Sequence, residues 1–218
     1  MTNQFYALVK KDILIEWRDK GLLLLIAVLT FLFFFIFSLA LDDSIGGEIG
    51  ILWVVYLVLI ALMTQKHLTR ETENRSWDGL FLAPIDPGIV FISKCSFYVL
   101  FLLLSDVILI PLYLIFFNTV PVHPFFFLLT VFIGKIGIVS VSVLMAILTM
   151  SHRMKEFLTI LLQIPLLIPL LIAEIELMKY SFWGEPTSIP FLWLALVSGF
   201  SILFTALPTL LLSIIKEV

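Results

Sequence analysis

Residues 22–41 read LLLLIAVLTFLFFFIFSLAL, a run without a single charged side chain. A helix of that length rises about 30 Å, the thickness of a bilayer's hydrocarbon core. Ser38, Leu39 and Ala40 form a weak small-x-small cleavage pattern. A secretory signal core is only about 7–15 residues long, however, and here a long charged segment precedes the run, so it reads as a retained span. Five further apolar runs follow, at Ile49–Met63, Cys95–Phe117, Phe125–Met150, Phe157–Ala173 and Phe191–Ile215. Six such runs use roughly 120 residues, which leaves room for short loops and none for a separate soluble domain. The pattern predicts an all-α integral membrane protein, one six-transmembrane-helix bundle formed by residues 1–218.

Composition agrees. Hydrophobic residues make up 61% of the 218 and charged residues 13%, with a mean hydropathy of +1.17. A soluble domain carries about 25% charge, so this chain has too little polar surface to coat a water-soluble globule. The net charge of −3 is small and the basic residues are scattered, which excludes nucleic acid as a partner. Cys95 is the only cysteine, so no internal disulfide forms, and it reads as a small apolar helix residue.

An even number of spans puts both termini on one side. Lys10, Lys11, Arg18, Lys20, Lys66, Arg70, Arg75, Lys94, Arg153, Lys155 and Lys216 all fall on that side, against Lys179 on the other and Lys135 inside a span. Basic residues in short loops resist translocation, so that side is the cytoplasm. Asp42, Asp43, Glu48, Glu174, Glu176 and Glu185 are assigned to the opposite face.

Three regions have the makings of function. Residues 3–20 mix Phe5, Leu8, Val9, Ile13 and Trp17 with four basic residues, as expected of a helix lying in the headgroup layer with Trp17 as its anchor. Its apolar face is blurred by Asp12 and Glu16; the competing reading is an extension of the first span. The second is the cytoplasmic loop RETENRSWDGLFLAPIDPGIVFISK, residues 70–94. Trp77, Leu80 and Phe81 share one face of a short charged helix that Pro84 ends. Asp86 and Pro87 then supply an N-cap and a first-turn proline for the third span. A short helix held between two spans suits the docking of a partner, and equally an amphipathic helix resting on lipid. The third is a pair of intramembrane charges. Asp106 lies 12 residues before Asn118 and Lys135 lies 10 residues past Phe125. These depths are roughly 18 and 15 Å on neighbouring antiparallel helices, so the two charges are level. Either alone would cost about 2.5–3.5 kcal/mol at the centre of a span, so they are expected to pair, unless Pro111 turns Asp106 toward a polar cavity with Ser105.

Other motifs dissolve on inspection. Gly134-Lys135 lacks the following Ser or Thr and the upstream glycine of a phosphate loop, and Asn74-Arg75-Ser76 is a glycosylation sequon on a cytoplasmic loop. The three histidines, His67, His123 and His152, fall on different loops, so no metal-ligand spacing exists. His123, the outward-facing one, reads as a hydrated turn residue; the sharper alternative is a transient axial ligand to haem iron. No serine-elbow motif accompanies the Ser, His and Asp residues, and no catalytic residue is assigned.

Three stretches together resemble the haem exporter protein B (CcmB) family of cytochrome c maturation, within the second large class of ATP-binding-cassette permeases. Gly50-Ile51-Leu52-Trp53-Val54 resembles the family's start of the second span. Ser76, Trp77, Asp78, Leu80, Leu82 and Pro84, followed by a proline turn and Lys94, resemble its D-G-S-L-E-x-L-x-L-x-P loop. The stretch from Arg153 through Pro165, Leu166, Ile168, Pro169, Leu170 and Ile172 resembles its basic loop and double-proline span. Asn74, Arg75, Trp77 and Asp78 depart from the loop pattern, and Lys135 stands where a small hydroxyl residue is expected.

The resemblance implies a bacterial inner-membrane subunit, not an enzyme by itself, that couples a separate CcmA-like cytoplasmic ATPase to release of a haem-loaded periplasmic chaperone. CcmC-like and CcmD-like membrane partners are implied with it, and a homodimer is allowed. The ATPase contacts would be Arg70, Glu71, Glu73, Arg75, Trp77, Asp78, Leu80, Phe81 and Pro84. ATP would bind only the partner; haem would be handled as substrate, with no tightly held cofactor. Two other readings remain open: a permease for a different apolar substrate, and a membrane scaffold that transports nothing.

Overall fold

The computed structural model describes residues 2–18, 21–41, 47–73, 86–150, 152, 154–184 and 190–215. These form seven helices: α1 (Thr2–Arg18), α2 (Gly21–Ala40), α3 (Gly47–Glu73), α4 (Pro87–Phe116), α5 (Pro124–Thr149), α6 (Lys155–Trp183) and α7 (Pro190–Ile215), with no strand among the described residues. Helices are the only open-ended way to satisfy every backbone N–H and C=O inside hydrocarbon. Five of them, α3 to α7, are long and apolar enough to cross a membrane, and α2 contributes the shorter apolar stretch Leu24–Ala40. The chain is a multi-pass helical membrane protein.

At the centre stands α5, the most buried of the five, packed against α3, α4, α6 and α7. Gly137 lets it approach both neighbours on one side: a Cβ there would sit 2.8 Å from Leu170 of α6 and from the Ser201 hydroxyl of α7. The Ser201 hydroxyl in turn donates to the Ile133 carbonyl of α5. α2 leans on α3 and α4, where Phe34 meets Tyr113 and Phe117 edge-on. α1 packs on α4.

Three helices outrun the apolar runs that announce them. α3 continues ten residues beyond Met63, through a stretch that reads as polar loop: no Gly or Pro intervenes, and the Thr64 hydroxyl is satisfied by the Ile60 carbonyl. α4 begins at Pro87 rather than near Cys95. The Asp86 side chain accepts from the Gly88 amide at 2.8 Å, with Pro87 at the first helical position, which is the start that these two residues specify. α6 runs ten residues past Ala173, and Glu174, assigned by sequence to an outer loop, is fully buried on the stripe Leu167, Leu170, Glu174, Leu177. That helix stops at Gly184, whose left-handed φ of 64° closes its last turn.

The first turn of α4 lies directly on α7: a Cβ at Gly88 would stand 2.7 Å from the Thr209 carbonyl oxygen. At the opposite end, the α4–α5 connection passes through Asn118 in the left-handed region and is pinned to α6 by the His123 amide donating to the Ser181 carbonyl.

Asp86→Ala should lose the α4 cap and lower stability by about 1 kcal/mol, while Asp86→Asn retains most of it. The thermal unfolding midpoint of the purified protein in detergent checks both.

Candidate functional site: two buried charge clusters

The first cluster lies within the bundle. Lys135 of α5 is fully buried and its ammonium forms an ion pair with the Asp106 carboxylate of α4. Tyr56 of α3 donates its hydroxyl to the other oxygen of Asp106 at 2.8 Å, and Lys135 Nζ stands 4.8 Å from the centre of the Tyr56 ring. Three helices are thus joined at one depth by two charge-assisted contacts and a cation–π contact. Asp106 is turned to Lys135 rather than away from it, and the Ser105 hydroxyl folds back onto the Phe101 carbonyl. Removing one partner of such a pair, where no other acceptor takes over, leaves a buried charge uncompensated, at about 3–5 kcal/mol.

The second cluster joins α1 to the ends of α3 and α4. Asp12 and Glu16 are both almost fully buried. They lie, with Val9, on the side of α1 turned toward the protein, whereas Tyr6, Ile13, Leu14 and Ile15 are exposed. Asp12 pairs with Lys94 at 3.0 Å and with Lys11 at 3.3 Å. Glu16 Oε1 accepts from Lys66 at 3.0 Å, and Oε2 stands 3.1 Å from His67 Nε2 and 3.6 Å from Arg70. The His67 contact requires the ring proton on Nε2. The ring itself is wedged against Phe97 and Tyr98 of α4. Burial by itself would push the Glu16 carboxyl up. Hydrogen bonds from His67 and Lys66, with the charges behind them, reverse that and hold it below its usual range.

α1 is therefore held to the protein by its acids and turns an apolar surface outward. Reading Asp12 and Glu16 as blemishes on a lipid-facing helix misses this. The available signal was their four-residue spacing on one helix face, with Lys66, Arg70 and Lys94 available to meet them.

His123 is exposed, with its ring stacked on Tyr180 at 5.2 Å. Among the described residues no group of three His, Cys, Asp or Glu is placed to hold a metal ion. A lateral cavity of about 630 Å³ opens between α4, α5 and α7 and is walled by Ile92, Ile133, Ile136 and Ile202. Its hydroxyls, Ser198, Ser201, Thr205 and Thr209, all donate to backbone carbonyls, so it offers an apolar surface. Of the loop residues expected to meet an ATPase, Arg70 faces Glu16, and Glu71 and Glu73 lie on the last turn of α3. Arg75, Trp77, Asp78, Leu80, Phe81 and Pro84 lie outside the described residues.

The comparison with known families settles the kinship of this arrangement. The family model described as CcmB protein matches residues 3–213. This chain belongs to the CcmB family. Heme exporter protein B of Pseudomonas aeruginosa is 26% identical over 160 residues, covering 72% of this chain and 70% of that protein. No solved structure matches it.

Two outcomes test the clusters. Asp106→Lys and Lys135→Asp should each abolish accumulation of folded protein, and the double exchange should restore most of it, as read by size-exclusion chromatography of the solubilised membrane fraction. Because Glu16 titrates below its usual range when folded, its contribution to docking is complete above about pH 4.3 and is lost as pH falls through the lower folded value. Spin labels at Ile13 and Leu100 should report α1 leaving α4 on acidification, and Glu16→Gln should remove that component of the response.

Proposed function

We propose that this protein is the membrane subunit of an ATP-driven complex that handles haem for cytochrome c maturation, working with a separate CcmA-like ATPase. Family membership carries the reading, and the name of the Pseudomonas aeruginosa relative supplies the cargo. The chain has no phosphate loop, so hydrolysis belongs to a partner. In this reading all six apolar runs cross the bacterial inner membrane, both termini are cytoplasmic, and CcmC-like and CcmD-like subunits complete the assembly. The haem-loaded chaperone is released on the periplasmic side.

The geometry supports a mechanical route. Residues 74–85 connect α3 to α4, and α1 ties the adjoining ends of those helices together through Glu16 to Lys66, His67 and Arg70, and through Asp12 to Lys94. Closure of the ATPase pair displaces residues 70–83. The Asp86 cap and Pro87 make the start of α4 stiff, so the displacement enters α4 without being absorbed. Contact of Gly88 with the Thr209 backbone passes it to α7, and the buried pair Asp106–Lys135 passes it to α5. The ATPase acts by favouring one of two bundle arrangements over the other.

Replacing Trp77 and Phe81 together by Ala removes two aromatic anchors of a kind that contributes about 2 kcal/mol or more each at an interface. The ATPase should then fail to copurify with the membrane fraction, and chaperone release should stop. Undiminished copurification and turnover would instead assign these residues to a helix resting on lipid. Copurification of an ATPase without haem-handling subunits would favour a permease for another apolar substrate.

A further inference from the structure

Glu174 is a buried acid that the arrangement above leaves unexplained. It is fully buried on α6, and neither of its carboxyl oxygens has a hydrogen-bond partner. The carboxyl fills a notch that Gly134 opens on α5: a Cβ at that position would collide with Oε1 of Glu174 and with the Trp53 ring. The notch is closed in this packing, so a cation reaches Glu174 only with a shift of its carboxyl or of the Trp53 ring. Lys135, the next residue of α5, sends its ammonium to Asp106 on α4 instead. At this level the described residues hold two acids, Asp106 and Glu174, and one base.

Aromatic faces connect the two carboxyl groups. Lys135 Nζ already stands 4.8 Å from the Tyr56 ring centre, the Tyr56 and Trp53 rings are 5.7 Å apart, and Trp53 walls the Glu174 notch. A cation is attracted to an aromatic face within about 6 Å, so an ammonium leaving Asp106 toward α6 moves over surfaces that hold it. The flexible four-carbon stem of Lys135 is rooted one residue from Gly134, against which the Glu174 carboxyl packs.

We propose that Glu174 is a second binding site for the Lys135 ammonium. The bundle then has two ion-pair arrangements: α5 joined to α4 through Asp106, as in this structure, or α5 joined to α6 through Glu174, with Tyr56 and Trp53 forming the path between. Exchange of one buried cation between two fixed acids gives discrete states, because an ammonium between partners is the costly position. The inference concerns the bundle alone and stands apart from the assignment of cargo or ATPase.

The test uses the full-length protein in detergent and in lipid nanodiscs, with Asp106→Asn, Glu174→Gln, the double variant, and the triple variant that adds Lys135→Met. Each replacement is close in shape to the original. The readout is the fraction of protein that remains monodisperse after heating. Each single variant should stay within about twofold of the parent, since one acceptor remains for Lys135. The double variant should fall about tenfold or more below the product of the two single effects, and Lys135→Met should recover most of that loss by removing the cation that needs a partner. A double variant no worse than the product of the singles overturns the proposal. So does collapse of Asp106→Asn alone, since Glu174 is then intact and not taking over. A triple variant as poor as the double assigns the loss to packing and also overturns it.

Discussion

The ion pair between Asp106 and Lys135 is the contact around which the bundle is organised. Apolar packing between helices in lipid is permissive, because lipid tails solvate Leu and Phe about as well as a neighbouring helix does. A fully buried ammonium is not permissive: α5 can sit only where Lys135 meets a carboxylate. The Tyr56 hydroxyl brings α3 to the same carboxylate, so one point of contact fixes the vertical register of three helices. Close approaches at Gly134 and Gly137 then set how near α6 and α7 come.

Much of this was legible in the sequence where the determinant is local. Uninterrupted apolar runs located the helices, and Asp86 with Pro87 located the start of α4. Counting residues inward from Asn118 and Phe125 put Asp106 and Lys135 at one depth, where the structure holds them together. What escaped was polarity satisfied from a distance. Hydropathy treats Lys66, His67, Lys94 and Glu174 as reasons to end a span, because it cannot see Glu16, Asp12 or the Gly134 notch across the fold. Each of those residues lies in a helix that continues past it. The count of six crossings came from six apolar runs; among the described residues five helices qualify by length and apolarity, with Leu24–Ala40 a shorter apolar stretch. The loop motif of residues 74–85 falls outside the described residues.

The two clusters each join residues far apart in the sequence and impose an order on assembly. Asp12 and Glu16 belong to the first helix made, yet their cations arrive with α3 and α4. Until then both acids are best left in water, and α1 is best left at the membrane surface with Tyr6, Ile13 and Leu14 toward lipid. Docking follows insertion of its partners. The same logic applies within the bundle, where Asp106 of α4 waits for Lys135 of α5, separated only by the short turn through Asn118.

Gly88 carries a lesson for anyone altering this protein. Its hydrogen is all that separates the α4 entry from the α7 main chain at Thr209, so the two helices touch there backbone to backbone. The nearest atom there is a backbone oxygen, which cannot swing aside as a side chain can, so the junction behaves as a hard bearing rather than a cushion. Chemically the position is blank: it donates nothing to a ligand and reacts with nothing. Even so, a single added carbon would wedge two spans apart at the membrane surface. In a mutational scan of this chain, position 88 would therefore behave like a catalytic residue, intolerant of every replacement, for reasons of clearance alone.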